Sequence, residues 1–434
     1  MATPKTRAAS TVVVGGGVAG LAAANRLVRA LGPRRDAVVL LERSDAVGGR
    51  VRTDVVDGFL LDRGFQIFLT SYPSAKALLD YEQLRLHPFY AGALVRCNGA
   101  FERVADPVRH PWDGILSLAN PIGNVLDKLR VGSVRVRALL GVLEQEQEST
   151  TMESLVREGF TTNMIDRFFR PFLGGIFFDN QLNVTSKLFA FVMKSLATGQ
   201  NCLPEDGIGE VAKQLAEKLP PGTIVLDAEV VKVDANGVEL ADGSRVEAEM
   251  GVIVATEGPV AANLLGVALE EDASSQGTPV GTCNLYFAAP RPPVDENVLF
   301  LNGEGKGIVN NCCFPSSVSR SYAPEGQALI STSTVGVMEH LGEKELELQV
   351  REHMAQWFGK KEVDTWTHLR TYRIPYAQPN QTPPTNLMRS VRLSRGLYVC
   401  GDHREAATLD GALHSGLRAA EALLADNKDM HVDQ

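Results

Sequence analysis

The stretch VVVGGGVAG, residues 12–20, constrains this chain more than any other. Val12 to Val14 make a β-branched run suited to a buried strand, and an Ala/Leu-rich segment of helical period follows from Val18 to Leu31. Between them Gly15, Gly17 and Gly20 stand at GxGxxG spacing. Such glycines permit a tight turn, close approach of backbone to a pyrophosphate, and packing of the helix onto the strand. The helix N-terminus favours the phosphate charge. A second apolar strand, Val38 to Leu41, ends at Glu42, which is placed to accept hydrogen bonds from ribose hydroxyls. The expectation is a parallel βαβ unit that binds a dinucleotide; the spacing alone does not separate NAD from FAD.

With 434 residues the chain has room for two or three domains and a large core. Hydrophobic residues at 44% and charged residues at 22% exclude a disordered tail or a membrane bundle. A net charge of −9 argues against nucleic acid as partner. Six cysteines show no CxxC or finger spacing, so they read as reduced thiols. The eight histidines form no HExxH or i, i+4 pair, so no metal centre is expected. Cys312 and Cys313 adjoin, but adjacent strand residues face opposite sides. The basic, Ser/Thr-bearing first ten residues lack a signal-peptide core, and a strand is expected from Thr11. No window approaches a membrane span. Location is expected to be intracellular and cytoplasmic, with a processed organellar form left open. Oligomeric state is unknown.

From Ser71 to Thr198 the pattern is mostly helical, with Thr150 or Thr151 capping a helix over Met152 to Glu158 that stops at Gly159. A turn and helix from Pro204 to Leu219 precede strands at Ile224 to Val233, Gly237 to Leu240 and Val246 to Ala255, a β-meander returning to the first domain. Thr278 to Tyr376 alternates strands such as Cys283 to Phe287 with a helix at Glu343 to Phe358. A strand at Gly396 to Cys400 and a helix from Leu409 to Leu424 close the chain. No internal repeat is present. Two interleaved domains follow: residues 1–72, 200–270 and 385–434 for the dinucleotide, and 73–199 with 271–384 for substrate.

In ERSDAVGGRVRT, Gly48, Gly49 and Arg50 follow Glu42 closely. The physics suits a cofactor, because a second glycine pair admits backbone and an Arg fork matches phosphate. Here the sequence resembles the flavin-containing amine oxidase superfamily, with its protoporphyrinogen-oxidase-like and phytoene-desaturase-like members. The resemblance implies an α/β fold: a glutathione-reductase-like, Rossmann-type FAD-binding domain with an interleaved mixed α+β substrate domain. It also implies that Arg50 contacts the FAD diphosphate, with Thr53 the motif's downstream threonine. LLDRGFQIF resembles the family's Asp-x-Gly segment near the flavin, carried by Asp62 and Gly64. Val230 in DAEVVKVD resembles the valine whose backbone meets adenine, although a buried strand valine reads the same way. The closing LYVCGDHREAATLDGALHSG resembles the family's last motif. There Gly401 and Asp402 meet the ribityl chain, and backbone donors near Leu409, Asp410 and Ala412 stabilise reduced flavin. The resemblance thus sets Arg43, beside Glu42, with the cofactor-binding residues.

On the substrate side the pattern departs from amine oxidases, which resemblance would give a lysine near flavin N5 and an aromatic cage. Ala288 in CNLYFAAPRPP stands where that lysine is sought, and HREAATLDGA lacks the cage aromatic. Residues 167–191, rich in Phe, resemble the substrate segment of the porphyrinogen-oxidase-like members and read either as an apolar tunnel, with Phe172 and Phe177, or as core. Tyr372 and Tyr376 read as pocket lining or packing, and His403 as base or structural imidazole. Arg404, which follows it, is placed to approach flavin or substrate. Asp127 to Leu143 alternates Lys128, Arg130, Arg135 and Arg137 with Leu and Val, a pattern of membrane-surface docking or of a solvated helix face. The expected activity is hydride removal by FAD from a hydrophobic polyene, isoprenoid or tetrapyrrole-like substrate, needing no dedicated acid or base. A divergent amine oxidase releasing hydrogen peroxide, or a flavin-bearing isomerase or assembly protein, are the other readings. Catalytic residues are unknown.

Overall fold

The computed structural model describes residues 6–32, 38–266 and 280–428. The first five residues of the basic leader, and the domain boundary drawn at 270–271, lie outside the described residues. The first three elements are β1, Thr6–Val14, α1, Val18–Leu31, and β2, Val38–Leu41. β1 pairs in parallel with β2 and with the strand Arg245–Val254. It begins at Thr6 rather than Thr11, because the ten-residue partner strand extends the ladder back to Arg245. α1 buries Leu21, Ala22, Ala23, Ala24 and Leu27 against this sheet, and the small alanines let it approach closely. The helix Leu409–Asp426 packs beside it, again through small residues, with Gly416 at the contact.

This first sheet has eight strands. The strand expected over Ile224 to Val233 is two strands, Ile224–Val225 and Val230–Asp234, at opposite ends of the hydrogen-bonded order. Asp227 with φ 54° lies in the left-handed region and breaks the run. The four intervening residues reach at most roughly 14 Å, so the meander curls back over the sheet. Ala228 N–H accordingly donates to the Glu42 carbonyl at 2.9 Å.

A second, seven-stranded sheet carries Val280–Ala289 between Ala328–Ser333 and the edge strand Thr367–Gln378. Residues 71–198 are not as uniformly helical as expected. Gly92–Cys97 and Ala100–Ala105 form a hairpin that joins this sheet, pairing in parallel with Leu299–Leu301. Its turn is Asn98-Gly99, both at positive φ, the two-residue geometry that matches strand twist. The helix Thr151–Arg157 is capped by Thr150 with a reciprocal bond from Glu153, as the sequence indicates. Glu343–Phe358 is a helix over the bounds expected. All six cysteines are free and buried. Cys312 packs in the cluster with Phe300 and Phe314, and Cys313 in the one with Tyr286 and Tyr322, on opposite sides of their strand. Among the described residues no helix is long and apolar enough to cross a membrane.

Candidate cofactor site

The site begins where β1 ends. Gly15 turns the chain at φ 108° and donates to the Leu41 carbonyl at 2.8 Å. A Cβ on Gly20 would lie 1.9 Å from the Gly15 carbonyl oxygen, so α1 closes onto the turn only because both are glycine. Gly17 caps α1 without any side-chain bond, and the first turn carries no acidic residue. Val18, Ala19 and Gly20 are buried, and no side chain supplies this helix end with an acceptor. A Cβ on Gly17 would meet nothing within 4 Å, which leaves open space before those N–H groups.

Glu42 sits at the end of β2, 8% exposed. Its carboxylate accepts from Gly16 N–H at 2.7 Å, Ser44 N–H at 2.9 Å and Ser44 Oγ at 2.7 Å. It therefore holds the glycine loop, and its oxygens retain lone pairs for hydroxyl donors. Sequence reasoning missed Ser44; a serine two residues after the acid is the signal that identifies such a turn. Arg43 points to solvent. Val230 lies partly buried with Val14 and Leu41. Gly48 N–H donates to the Gly16 carbonyl at 2.8 Å, and the exposed Gly49 faces Gly17 with φ 59°. The second glycine pair is thus part of the same cradle.

Arg50 comes next. Its Nη1 donates to Asp402 at 2.7 Å and to the Ala377 carbonyl at 2.9 Å, and its Nη2 to Asp402 at 2.8 Å. Three of five N–H groups are spent and two remain for an anion. Burial pushes the Asp402 carboxyl up, but the Arg50 charge and fork prevail and hold it below the usual carboxylate range. Arg50 also stacks 5.4 Å from the Tyr376 ring centre. Gly401 at φ 145° donates to Ser415 Oγ at 2.9 Å and leaves room for His403, whose ring a Cβ there would meet at 2.6 Å. His403 is 1% exposed, and neither ring nitrogen has a partner. Burial pushes the imidazole down to about 3, so it is neutral at pH 7. A buried imidazole with two unpaired nitrogens calls for a polar group beside it.

At the last helix, Thr408 accepts from Gly411 N–H at 3.0 Å. Ala412 differs from expectation: its N–H is spent on the Thr408 carbonyl at 3.0 Å, being the first residue with an acceptor four positions back. The N–H groups of Leu409 and Asp410 have no intrahelical acceptor. The Asp410 carboxylate turns away to cap the helix Pro73–Leu78, accepting from Ser74 and Ala75 N–H at 2.7 and 3.0 Å.

Asp62 is a buried clamp. It accepts from Thr53 Oγ1 at 2.6 Å, Ile208 N–H at 2.9 Å and Tyr322 Oη at 3.1 Å, and burial pushes it up to about 6. Gly64, at φ 85°, packs against the end of the Ile374 side chain. Ala288 is buried in a cluster with Phe59, Leu61, Tyr286 and Tyr322, and Tyr286 Oη donates to the Asp62 carbonyl at 2.9 Å. Tyr372 is tied to Asp54 at 2.7 Å, outside the cradle, whereas Tyr376 belongs to it. Phe177 is 1% exposed in the core with Leu173 and Phe189, so it packs rather than lining a tunnel; Phe172 stacks on Phe168 at its edge.

The bare end of α1, the glycine cradle, the remaining Arg50 donors and the unpaired His403 fit an extended dinucleotide. Comparison with known proteins agrees. The family described as flavin containing amine oxidoreductase matches residues 18–424. A coproporphyrinogen III oxidase of Mycobacterium leprae is 26% identical over 230 residues, 49% of this chain and 45% of that protein. The chain thus aligns with under half the length of that relative. Polyamine oxidase 1 of Oryza sativa is 25% identical over 362 residues, 75% of this chain and 65% of that protein. Among solved structures, one described as a putative protoporphyrinogen oxidase from Exiguobacterium has TM-score 0.73 and 18% identity, covering 98% of this chain and 100% of its own. The architecture, a Rossmann-type dinucleotide domain with a substrate domain, is that of these flavoenzymes.

Proposed function

The chain belongs to the flavin containing amine oxidoreductase family, whose cofactor is FAD, and from that premise we propose that it removes hydride from a hydrophobic substrate of the polyene, isoprenoid or tetrapyrrole-like kind. The observation that carries the substrate class is Ala288, buried among Phe59, Leu61 and Tyr286 where an amine oxidase would place a lysine. That strand offers no proton acceptor at this position, which suits a substrate that needs enclosure alone. The match to coproporphyrinogen III oxidases supports the tetrapyrrole-like option.

FAD, when bound, supplies the hydride acceptor. The protein's part is holding and shielding. The α1 N-terminus and Gly17 take the diphosphate, Glu42 accepts the adenosine ribose hydroxyls, and the backbone at Val230 meets the adenine. Asp402, fixed by Arg50, meets the ribityl chain. Neutral His403 offers one donor and one acceptor without adding charge. The Leu409 and Asp410 N–H groups, at a helix N-terminus, would offer positive dipole to the ring end of the flavin.

Anaerobic mixing of the flavin-loaded chain with a porphyrinogen, a polyene and a polyamine tests this reading. Bleaching by the first or second is expected. Bleaching by the polyamine, with peroxide formed on admitting oxygen, would replace it with a divergent amine oxidase; no bleaching by any would replace it with a flavin protein lacking net redox turnover.

A further inference from the structure

The helix Val125–Leu139 turns an uncharged face to solvent. Val125, Leu129 and Val136 are 54%, 65% and 54% exposed and share one stripe, while Asp127, Val134 and Ala138 face inward. The preceding helix, Pro111–Ser117, adds Trp112 at 80% and Leu116 at 72%. Lys128 Nζ ties its helix to the segment just after Pro111–Ser117 by donating to the Leu118 and Asn120 carbonyls. Of the nineteen large apolar side chains exposed among the described residues, twelve fall between 108 and 142. Apolar surface gathered in this way marks a docking face. A solvated helix would put its charges outward, so that reading of the segment is set aside.

The charges decide the occupant. Lys128 and Arg135 flank the stripe on one side, Arg130 and Arg137 on the other, each pair seven residues apart. The arginines are more exposed than their acidic partners: 36% against 0% for Arg130–Asp127, 21% against 13% for Arg135–Asp106, and 32% against 11% for Arg137–Glu158. Acids lie innermost, cations outside them, apolar side chains outermost. That layering complements a bilayer surface with anionic headgroups, where apolar side chains enter the acyl boundary and cations stay at the headgroups. We propose that this helix pair docks the protein peripherally on an anionic lipid surface, with Trp112 seated at the interface.

The test is flotation of the flavin-loaded full chain with phosphatidylcholine vesicles with and without phosphatidylglycerol. Binding to the anionic vesicles is expected, weakened about ten-fold or more by Leu129→Glu with Val136→Glu, with the flavin spectrum unchanged. Trp112 gives a readout in the unaltered protein, because Trp357 and Trp366 are 6% and 4% exposed: brominated lipid should quench its emission, and Trp112→Phe should abolish that quenching. No flotation, equal flotation on pure phosphatidylcholine, or flotation indifferent to the paired substitutions would overturn the proposal. So would a dimer in solution that the same substitutions dissociate, which would assign the face to a second copy.

Discussion

Arg50 and Asp402 form a two-pronged ion pair, 2.7 and 2.8 Å long, between residues 352 positions apart. It ties the second glycine pair to the closing segment and fixes Asp402 beside the cradle. Asp402 is 7% exposed and Arg50 32%. Breaking a fully buried pair costs about 3–5 kcal/mol, and partial screening of Arg50 lowers this to about 2 kcal/mol here. Arg50→Ala is therefore expected to lose FAD and to melt earlier, while adding Asp402→Ala recovers part of the stability but no flavin. Thermal melts and flavin content of the single and double variants check this; full flavin retention in Arg50→Ala would contradict the cofactor assignment.

Two glycines three positions apart at the start of α1 respond oppositely. Gly17→Ala adds a methyl into open space at an ordinary backbone angle, so the apoprotein should lose less than about 1 kcal/mol while flavin affinity falls. Gly20→Ala would drive Cβ to 1.9 Å from the Gly15 oxygen and should prevent folding. Soluble yield together with flavin titration separates the two variants. Equal flavin affinity in Gly17→Ala would remove the diphosphate from this helix end.

Burial raises the Asp62 carboxyl to about 6, above its ordinary value, so the charged form is the costly one in the folded state. The stability it contributes is full below about pH 4 and is lost as pH rises through about 6, a swing on the order of 2–3 kcal/mol. Subtracting the pH profile of Asp62→Asn from that of the unaltered chain, by urea midpoints from pH 4 to 7, should show this fall. A flat difference would mean that burial does not raise the Asp62 carboxyl above its ordinary value.

Much of this architecture is legible without coordinates. Val18 to Leu31 and Glu343 to Phe358 show helical period along their whole length and appear with those bounds. The hairpin of residues 92–105 is announced by Asn98-Gly99 but lies within a stretch whose pattern is mostly helical. The break at Asp227 depends on how the meander curls over Glu42, a tertiary constraint no local pattern carries. Gly15, Gly17, Gly20 and Glu42 are readable because their roles are local. The Arg50–Asp402 fork and the unpaired His403 need the chain ends brought together, and the loss of Ala412 as a donor needs the helix start fixed to the residue.

Phe177 separates core from tunnel. At 1% exposure among Leu173 and Phe189, Phe177→Ala should cost about 3–5 kcal/mol. Urea unfolding measures it, and a cost near zero with altered ligand binding would restore the tunnel reading.

The most direct measurement is the visible absorption spectrum of the purified chain, before and after acid release of bound cofactor. The account predicts oxidised-flavin bands from tightly held FAD, released intact by acid. A chain that is folded but colourless and takes up no FAD on titration, or that binds a nicotinamide dinucleotide instead, would contradict it.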